Sequence, residues 1–496
     1  MQRVLNKPRV IFSSADRTHF VEQILSALLA IGFILAISQA AIDTRSPNAI
    51  YLGFGCIQVF CGMIAVYRKN LLASILGFCF TVVLLIACVI EQATFLPFDA
   101  SLTSLVYRPG LISTAYSSLL ACTCAYWLIV TMFSTKQDWA WLPADFVERT
   151  FARKFAWIAL WSGVALTALT TSAGFIADQQ YGTAGHSSQR GALADDSGLA
   201  LLAGFLLVIA MVSAVRCWGY SSNGYRLFVA VSLCAVLYFR WFRGQRASSF
   251  PVFLTIIFLF HLNSKIAPWK KVVGLTLAAL VLVAALNIWA RVRNEAANVG
   301  TWNAVSHNLD AAVPDITQPL SIKMLPQSYW HLLHTIDLYQ TGVRLNGTSF
   351  IDLVPQSIPD VLAKAVGYQR PPSGPVRLYD YRIHGGGMFI IAEGYWNFGI
   401  LGALLVSIGA AFLALKLESW FRKQEAIVVC TYFATIGTVG FGTYYGLQTF
   451  VKSIEIALVL AFAMKLALAY MRRRYEYRTR LAGRQLVTRL RATSHS

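Results

Sequence analysis

Twelve apolar stretches, most of them about 20 residues long, recur through this chain and decide what it can fold into. They fall at 20–41, 49–67, 71–91, 111–133, 156–175, 198–215, 226–242, 249–264, 271–290, 387–415, 426–446 and 452–470. About 20 residues of helix cross the ~30 Å hydrocarbon layer of a bilayer. Lipid cannot satisfy backbone polar groups, so each stretch must close its own hydrogen bonds as a helix. The expected fold is all-α, a polytopic membrane bundle of about twelve transmembrane helices. A chain with 56% hydrophobic residues and mean hydropathy +0.56 leaves little for a soluble multidomain protein.

Charge gives the orientation. Arg3, Lys7, Arg9 and Arg17 precede the first span, and basic residues return at Arg68-Lys69, Arg149/Arg153/Lys154, Arg216/Arg226, Lys265/Lys270/Lys271 and Arg422/Lys423. These are alternate connections, so one side of the membrane collects them. The positive-inside rule makes that side cytoplasmic. The tail from Met471, with eight Arg against one Glu, belongs there too, so both termini are expected inside. The net charge of +19 is then mainly a topology and anionic-lipid signal, and no nucleic-acid partner is expected. The first stretch ends in small residues like a signal peptide, but its length and the spans behind it favour an uncleaved anchor. All nine cysteines fall in or beside the spans, which argues against a disulfide framework.

The parts are then 1–290, holding spans one to nine; 291–386, a large loop; 387–470, holding spans ten to twelve; and 471–496, a basic cytoplasmic tail. The loop is expected on the periplasmic side. Its 96 residues carry four of the eight histidines, eight Lys/Arg and seven Asp/Glu, whereas no other connection exceeds 22 residues. Within it, Gln327–Gln340 has helical spacing between Pro326 and Gly342. Residues 350–366 suggest short helices broken by Pro355 and Pro359. The inward segment Ser134–Ala156 mixes aromatics with Arg149, Arg153 and Lys154 and reads as a helix lying in the interface.

Three groups of residues could carry chemistry. Arg240, Arg243 and Arg246 stand on the outer side, against the charge rule. Arg226 to Arg240 covers about 21 Å of helix, short of a full crossing, which puts Arg240 at the outer hydrocarbon boundary. Guanidinium groups there suit phosphate oxygens, with headgroup snorkelling or an acid partner as the alternatives. Arg370, Arg377, Arg382 and His384 form a second cluster before three glycines; histidine can exchange a proton near neutral pH. Glu393 lies inside the tenth span and calls for a buried cationic partner, such as Arg240 or Arg382, or a purely structural ion pair. Aromatic rings at Tyr329, Trp330 and Tyr381 could pack on sugar faces or form a small core. His331, His334 and Asp337 share helical spacing but lack a completing ligand motif, so no metal and no cofactor is expected.

Three segments carry a resemblance. RGQRASSFPVFLTIIFLFHL, GTSFIDLVPQSIPD and AEGYWNFGILGALL, together with the span pattern and the late loop, resemble bacterial oligosaccharide repeat-unit polymerases of the O-antigen polymerase (Wzy) type. The resemblance implies a metal-independent, lipid-carrier-dependent glycosyltransferase of the bacterial inner membrane with a GT-C-like membrane fold. It would transfer a growing glycan from undecaprenyl pyrophosphate to the non-reducing end of a new lipid-linked repeat. Arg243 and Arg246 match the family's arginine-rich turn, joined by Arg240 and Arg377 as expected pyrophosphate ligands. Glu393 matches its acid at the head of the next span. His384 and Arg382 are catalytic candidates from chemistry and position alone. The expected partners are undecaprenyl-pyrophosphate-linked oligosaccharides, membrane lipids, and a chain-length regulator and flippase. A glycan ligase using the same carrier, and a twelve-span transporter or lipid-linked oligosaccharide flippase, are the competing readings; a polytopic assembly subunit has no positive feature in its favour.

Overall fold

The computed structural model describes residues 14–39, 48–92, 109–134, 146–179, 197–217, 222–227, 231, 303, 306, 324–358, 366–369, 371–379, 381 and 387–493. The expected spans 249–264 and 271–290, nearly all of 226–242, and the candidates Arg240, Arg243, Arg246, Arg370, Arg382 and His384 lie outside these residues. Among the described residues the secondary structure is helical and contains no strand.

The helices are α1 (Ser14–Gln39), α2 (Asn48–Tyr67), α3 (Leu71–Gln92), α4 (Pro109–Phe133), α5 (Phe146–Gln179), α6 (Ser197–Cys217), α7 (Met324–Gln340), α8 (Thr348–Ser357), α9 (Gly374–Tyr379), α10 (Ile390–Arg422), α11 (Ala426–Gly442) and α12 (Leu447–Thr493). Five contain stretches long and apolar enough to cross a membrane: Val21–Ser38, Ile50–Tyr67, Gly110–Phe133, Ile390–Arg422 and Leu447–Gly483. Shorter apolar helical stretches cover Leu71–Ala87, Leu202–Ala214 and Ala426–Gly440. The chain is a membrane-embedded helical protein on this ground.

Helix α3 is the hub. It packs on α2, α4, α7, α10 and α11, and Leu71, Leu72, Phe80, Val83 and Leu84 are fully buried. Between apolar helices, close approach and polar bridges supply the adhesion that water exclusion supplies in soluble proteins. Trp127 packs over Gly77, where a Cβ would meet its ring. Gln58 donates to Thr123 (2.8 Å) and accepts from Thr81 (3.1 Å), and the indole N–H of Trp127 donates to Thr81 (2.9 Å).

One end of the bundle gathers the basic connections. Arg68 pairs with Glu22 and donates to the Ser134 carbonyl at 2.9 Å. Glu148, at the start of α5, accepts from Ile427 N at 2.8 Å, and Arg472 meets Glu425 at 3.2 Å. Tyr225 donates to the Arg153 carbonyl at 3.4 Å. Among the described residues, the alternate basic connections therefore converge on a single end of the fold.

Two local expectations change. The segment 146–156 does not lie flat as a separate interfacial helix: it is the first part of the continuous α5, with Val147, Glu148, Phe151 and Ala152 buried. Its charges sit at the helix start while its apolar face joins the bundle. Pro355 does not break α8, which carries it inside its last turn. The helix stops at Ser357, and Ile358 is extended (φ −62°, ψ 127°), as a residue preceding proline prefers. The helix expected at 327–340 is present as α7. It is no surface cap, because Tyr329, Leu332, Leu333 and Ile336 join the central core against α3, α4 and α10.

Candidate functional site

At the end opposite the basic connections, α10 is broken. Phe398 (φ −136°, ψ 25°) and Gly399 (φ 64°, ψ −147°) interrupt its helical geometry. A side chain at Gly399 would be strained at that φ and would crowd the Tyr339 ring. The break brings Gly394 against Gly402, backbone to backbone. Breaking a helix frees carbonyls that need donors. The segment after α7 supplies one, with Leu345 N bonded to Trp396 O at 3.1 Å, while the Trp396 indole N–H donates to Val343 O at 3.0 Å.

Asn397 is the joint. Its Oδ1 accepts from Gly347 N (3.0 Å), and its Nδ2 donates to Ser349 Oγ (2.7 Å) and to Glu393 O (2.8 Å). One buried amide thus fixes the turn before α8 to the first piece of α10. The residues come from GTSFIDLVPQSIPD and AEGYWNFGILGALL, far apart in sequence but in contact here.

Glu393, 2% exposed, points across the bundle. Its Oε2 accepts from Leu447 N at 2.8 Å, the first N–H of α12, where the helix dipole favours negative charge. Ser349 donates its hydroxyl to the carboxylate, and Arg377 lies within electrostatic reach. Two glycines face the same group: a Cβ on Gly374 would sit 2.5 Å from Oε1, and one on Gly446 (φ 97°) 3.2 Å from Oε2. The expected partners Arg240 and Arg382 fall outside the described residues; among the described residues the carboxylate meets a helix N-terminus, a serine and Arg377.

Arg377 is more occupied than a pyrophosphate ligand would be. It pairs with Asp352 and donates to Thr348 Oγ1 (2.9 Å) and Pro372 O (3.1 Å), strapping α9 to α8. Of the aromatic candidates, Tyr329 is buried, with its ring 5.8 Å from both Tyr116 and Trp330, so it presents no face to a sugar. Trp330 packs against the core at its edge. Tyr381 is exposed and meets Trp396 edge-on at 5.8 Å. His331 is buried and no described group bonds its Nδ1; burial first, and His334 beside it, hold its pKa down at about 4. Among the described residues no cluster of three His, Cys, Asp or Glu forms a metal cage.

Sequence reasoning missed two features. Glu418, near the other end of α10, is 1% exposed and accepts from Leu72 N (2.5 Å), Ala73 N (3.2 Å) and the Tyr432 hydroxyl (2.8 Å). Its place four residues before Arg422, in a span otherwise free of acids after Glu393, was the available signal. Asn397 was legible only as part of Asn-Phe-Gly, where a short polar residue and a glycine interrupt an apolar run.

Comparison with protein-family models, curated proteins and solved structures finds no match.

Proposed function

We propose that the protein polymerises lipid-linked oligosaccharide repeat units at the periplasmic face of the bacterial inner membrane. The observation that carries this reading is the junction at Asn397. It joins two segments on which the resemblance to O-antigen polymerases rests, beside a buried acid packed against two glycines. In this reading the chain crosses the membrane about twelve times, the basic end faces the cytoplasm with both termini, and residues 291–386 form the periplasmic loop.

The reaction moves one bond. The glycosidic C1–O bond to undecaprenyl pyrophosphate breaks, the C1–O bond to the acceptor hydroxyl forms, and the acceptor proton passes to a base. Arg240, Arg243 and Arg246 would stabilise the departing pyrophosphate, and His384 or Glu393 would take the proton, with Arg382 beside them. Two lipid-held reactants supply proximity. Glu393 already holds a helix end, so its proposed role is to fix the floor of the site as much as to exchange a proton. Arg377, neutralised by Asp352, fits the same floor better than the anion.

The experiment is a chromosomal deletion complemented with Arg243→Ala or Arg246→Ala. Expected are single lipid-linked repeats without a polymer ladder, at normal protein levels. A ladder of ordinary length from both variants would remove the pyrophosphate role. The break in α10 beside a buried acid favours a second reading, since transporters build substrate sites from interrupted helices. Counterflow of lipid-linked oligosaccharide in proteoliposomes without elongation would select it.

A further inference from the structure

Helix α8 turns an aliphatic face outward, unlike a helix in water. Its inward side carries Ser349, Asp352 and Gln356, spaced i, i+3, i+7, beside half-buried Phe350 and Leu353, with Ser349 3% and Gln356 2% exposed. Its outward face carries Ile351 and Val354, 72% and 75% exposed, continued by Ile358. A soluble loop helix would place these the other way. Polar groups inward and aliphatic groups outward are the arrangement of a helix bathed in hydrocarbon.

The depth agrees. The first exposed charge along α10 is Lys416, and one hydrocarbon thickness, about 20 helical residues, counted back from it reaches the break. The break at Phe398–Gly399 thus marks the membrane boundary at the loop end, just above the exposed Leu401 and Leu405. Phe350 of α8 stacks on Phe398, centroids 5.9 Å apart and planes 5° from parallel, which sets α8 at that boundary. Its apolar face continues the lipid-facing surface of α10.

A cation stands at the same level. Gly399 crowds the Tyr339 ring, and Arg344 lies over that ring with Cζ 4.2 Å from the centroid, its Nε donating to Tyr339 O at 3.3 Å. Arg344 is exposed, and among the described residues no carboxylate pairs with it, in contrast to Arg377. Among the described residues no acceptor bonds its terminal nitrogens, whose planar fork suits phosphate oxygens.

We infer that α8 is an in-plane membrane helix: Ile351, Val354 and Ile358 dip into the leaflet at the loop end, and Arg344 binds the phosphate of a phospholipid headgroup there. The loop is thereby anchored in the bilayer surface instead of standing above it. This goes beyond the glycan reading and does not require it.

A photoreactive phenylalanine analogue placed at Ile351 or Val354 of the full chain, in vesicles of mixed phosphatidylglycerol and phosphatidylcholine, tests the inference. Position 405 serves as the lipid-facing control and position 480 as the control beyond the membrane. The expected result is a phospholipid adduct at 351 and 354 as at 405, absent at 480. Adducts to a second copy, adducts to another segment of the chain, or no adduct while 405 gives one, would each overturn it. With Arg344→Gln added, the share of phosphatidylglycerol in the adduct should fall to its share in the bilayer. An unchanged share would remove the headgroup contact.

Discussion

Both ends of α10 hold a buried glutamate that caps another helix, yet the two sites are built differently. Glu418 gives one oxygen to three donors, two from the first turn of α3 and one from Tyr432, amid large side chains such as Phe421. Glu393 receives one N–H from the start of α12 and a serine hydroxyl, and two glycines pack so closely on its oxygens that a Cβ on either would crowd them. The first is a closed joint that fixes α3 to α10. The second is a joint walled by glycine backbone and roofed by α8 and α9. A buried acid in a span is therefore not by itself a functional residue; what surrounds its oxygens separates the two cases.

The largest expected effect breaks the closed joint. Glu418→Ala leaves the Ala73 N–H and the Tyr432 hydroxyl without an acceptor and Leu72 N with only the Tyr432 oxygen at 3.1 Å, a loss of about 3–5 kcal/mol. Thermal unfolding in detergent should show a marked drop, with Glu418→Gln recovering most of it. If Glu393→Ala proves equally destabilising, the contrast between the ends fails.

The loop end should respond to acid. His331 has a folded-state pKa near 4, below its ordinary 6.5, so the unfolded chain binds the extra proton. Its contribution is fully present above pH 6.5 and declines as pH falls towards 4, by about 3 kcal/mol in all. Unfolding midpoints measured across this range should slope for the native chain and flatten for His331→Leu.

A smaller change sharpens the second site. Gly374→Ala pushes a methyl group into the Glu393 carboxylate and should cost about 1–3 kcal/mol by overpacking. Gly53→Ala, on an exposed helical surface with open space around its Cβ, should be neutral or slightly stabilising. Equal responses would mean that Glu393 is not confined as its geometry shows.

Much of this was legible from residue order. Apolar runs and recurring Lys/Arg predicted the apolar helices among the described residues and the end on which their basic turns meet, because lipid forces each run to be helical and charge stays out of it. The helix at 327–340 was readable from its spacing. That it enters the central core was not, since its apolar face suits a lid as well as a bundle. Glu393 stood out as an acid in an apolar run, but its partner did not, because a helix N-terminus has no letter in the sequence. Arg377 looked like a ligand until Asp352, 25 residues earlier, came within bonding reach.

The sequence alone determined a helical membrane chain with basic turns on one side, since hydropathy and charge act locally along the chain. Which acids are joints, where α10 breaks, and which face of α8 looks outward were decided only by tertiary structure. Those properties depend on donors, glycines and lipid-facing surfaces contributed by residues tens to hundreds of positions apart.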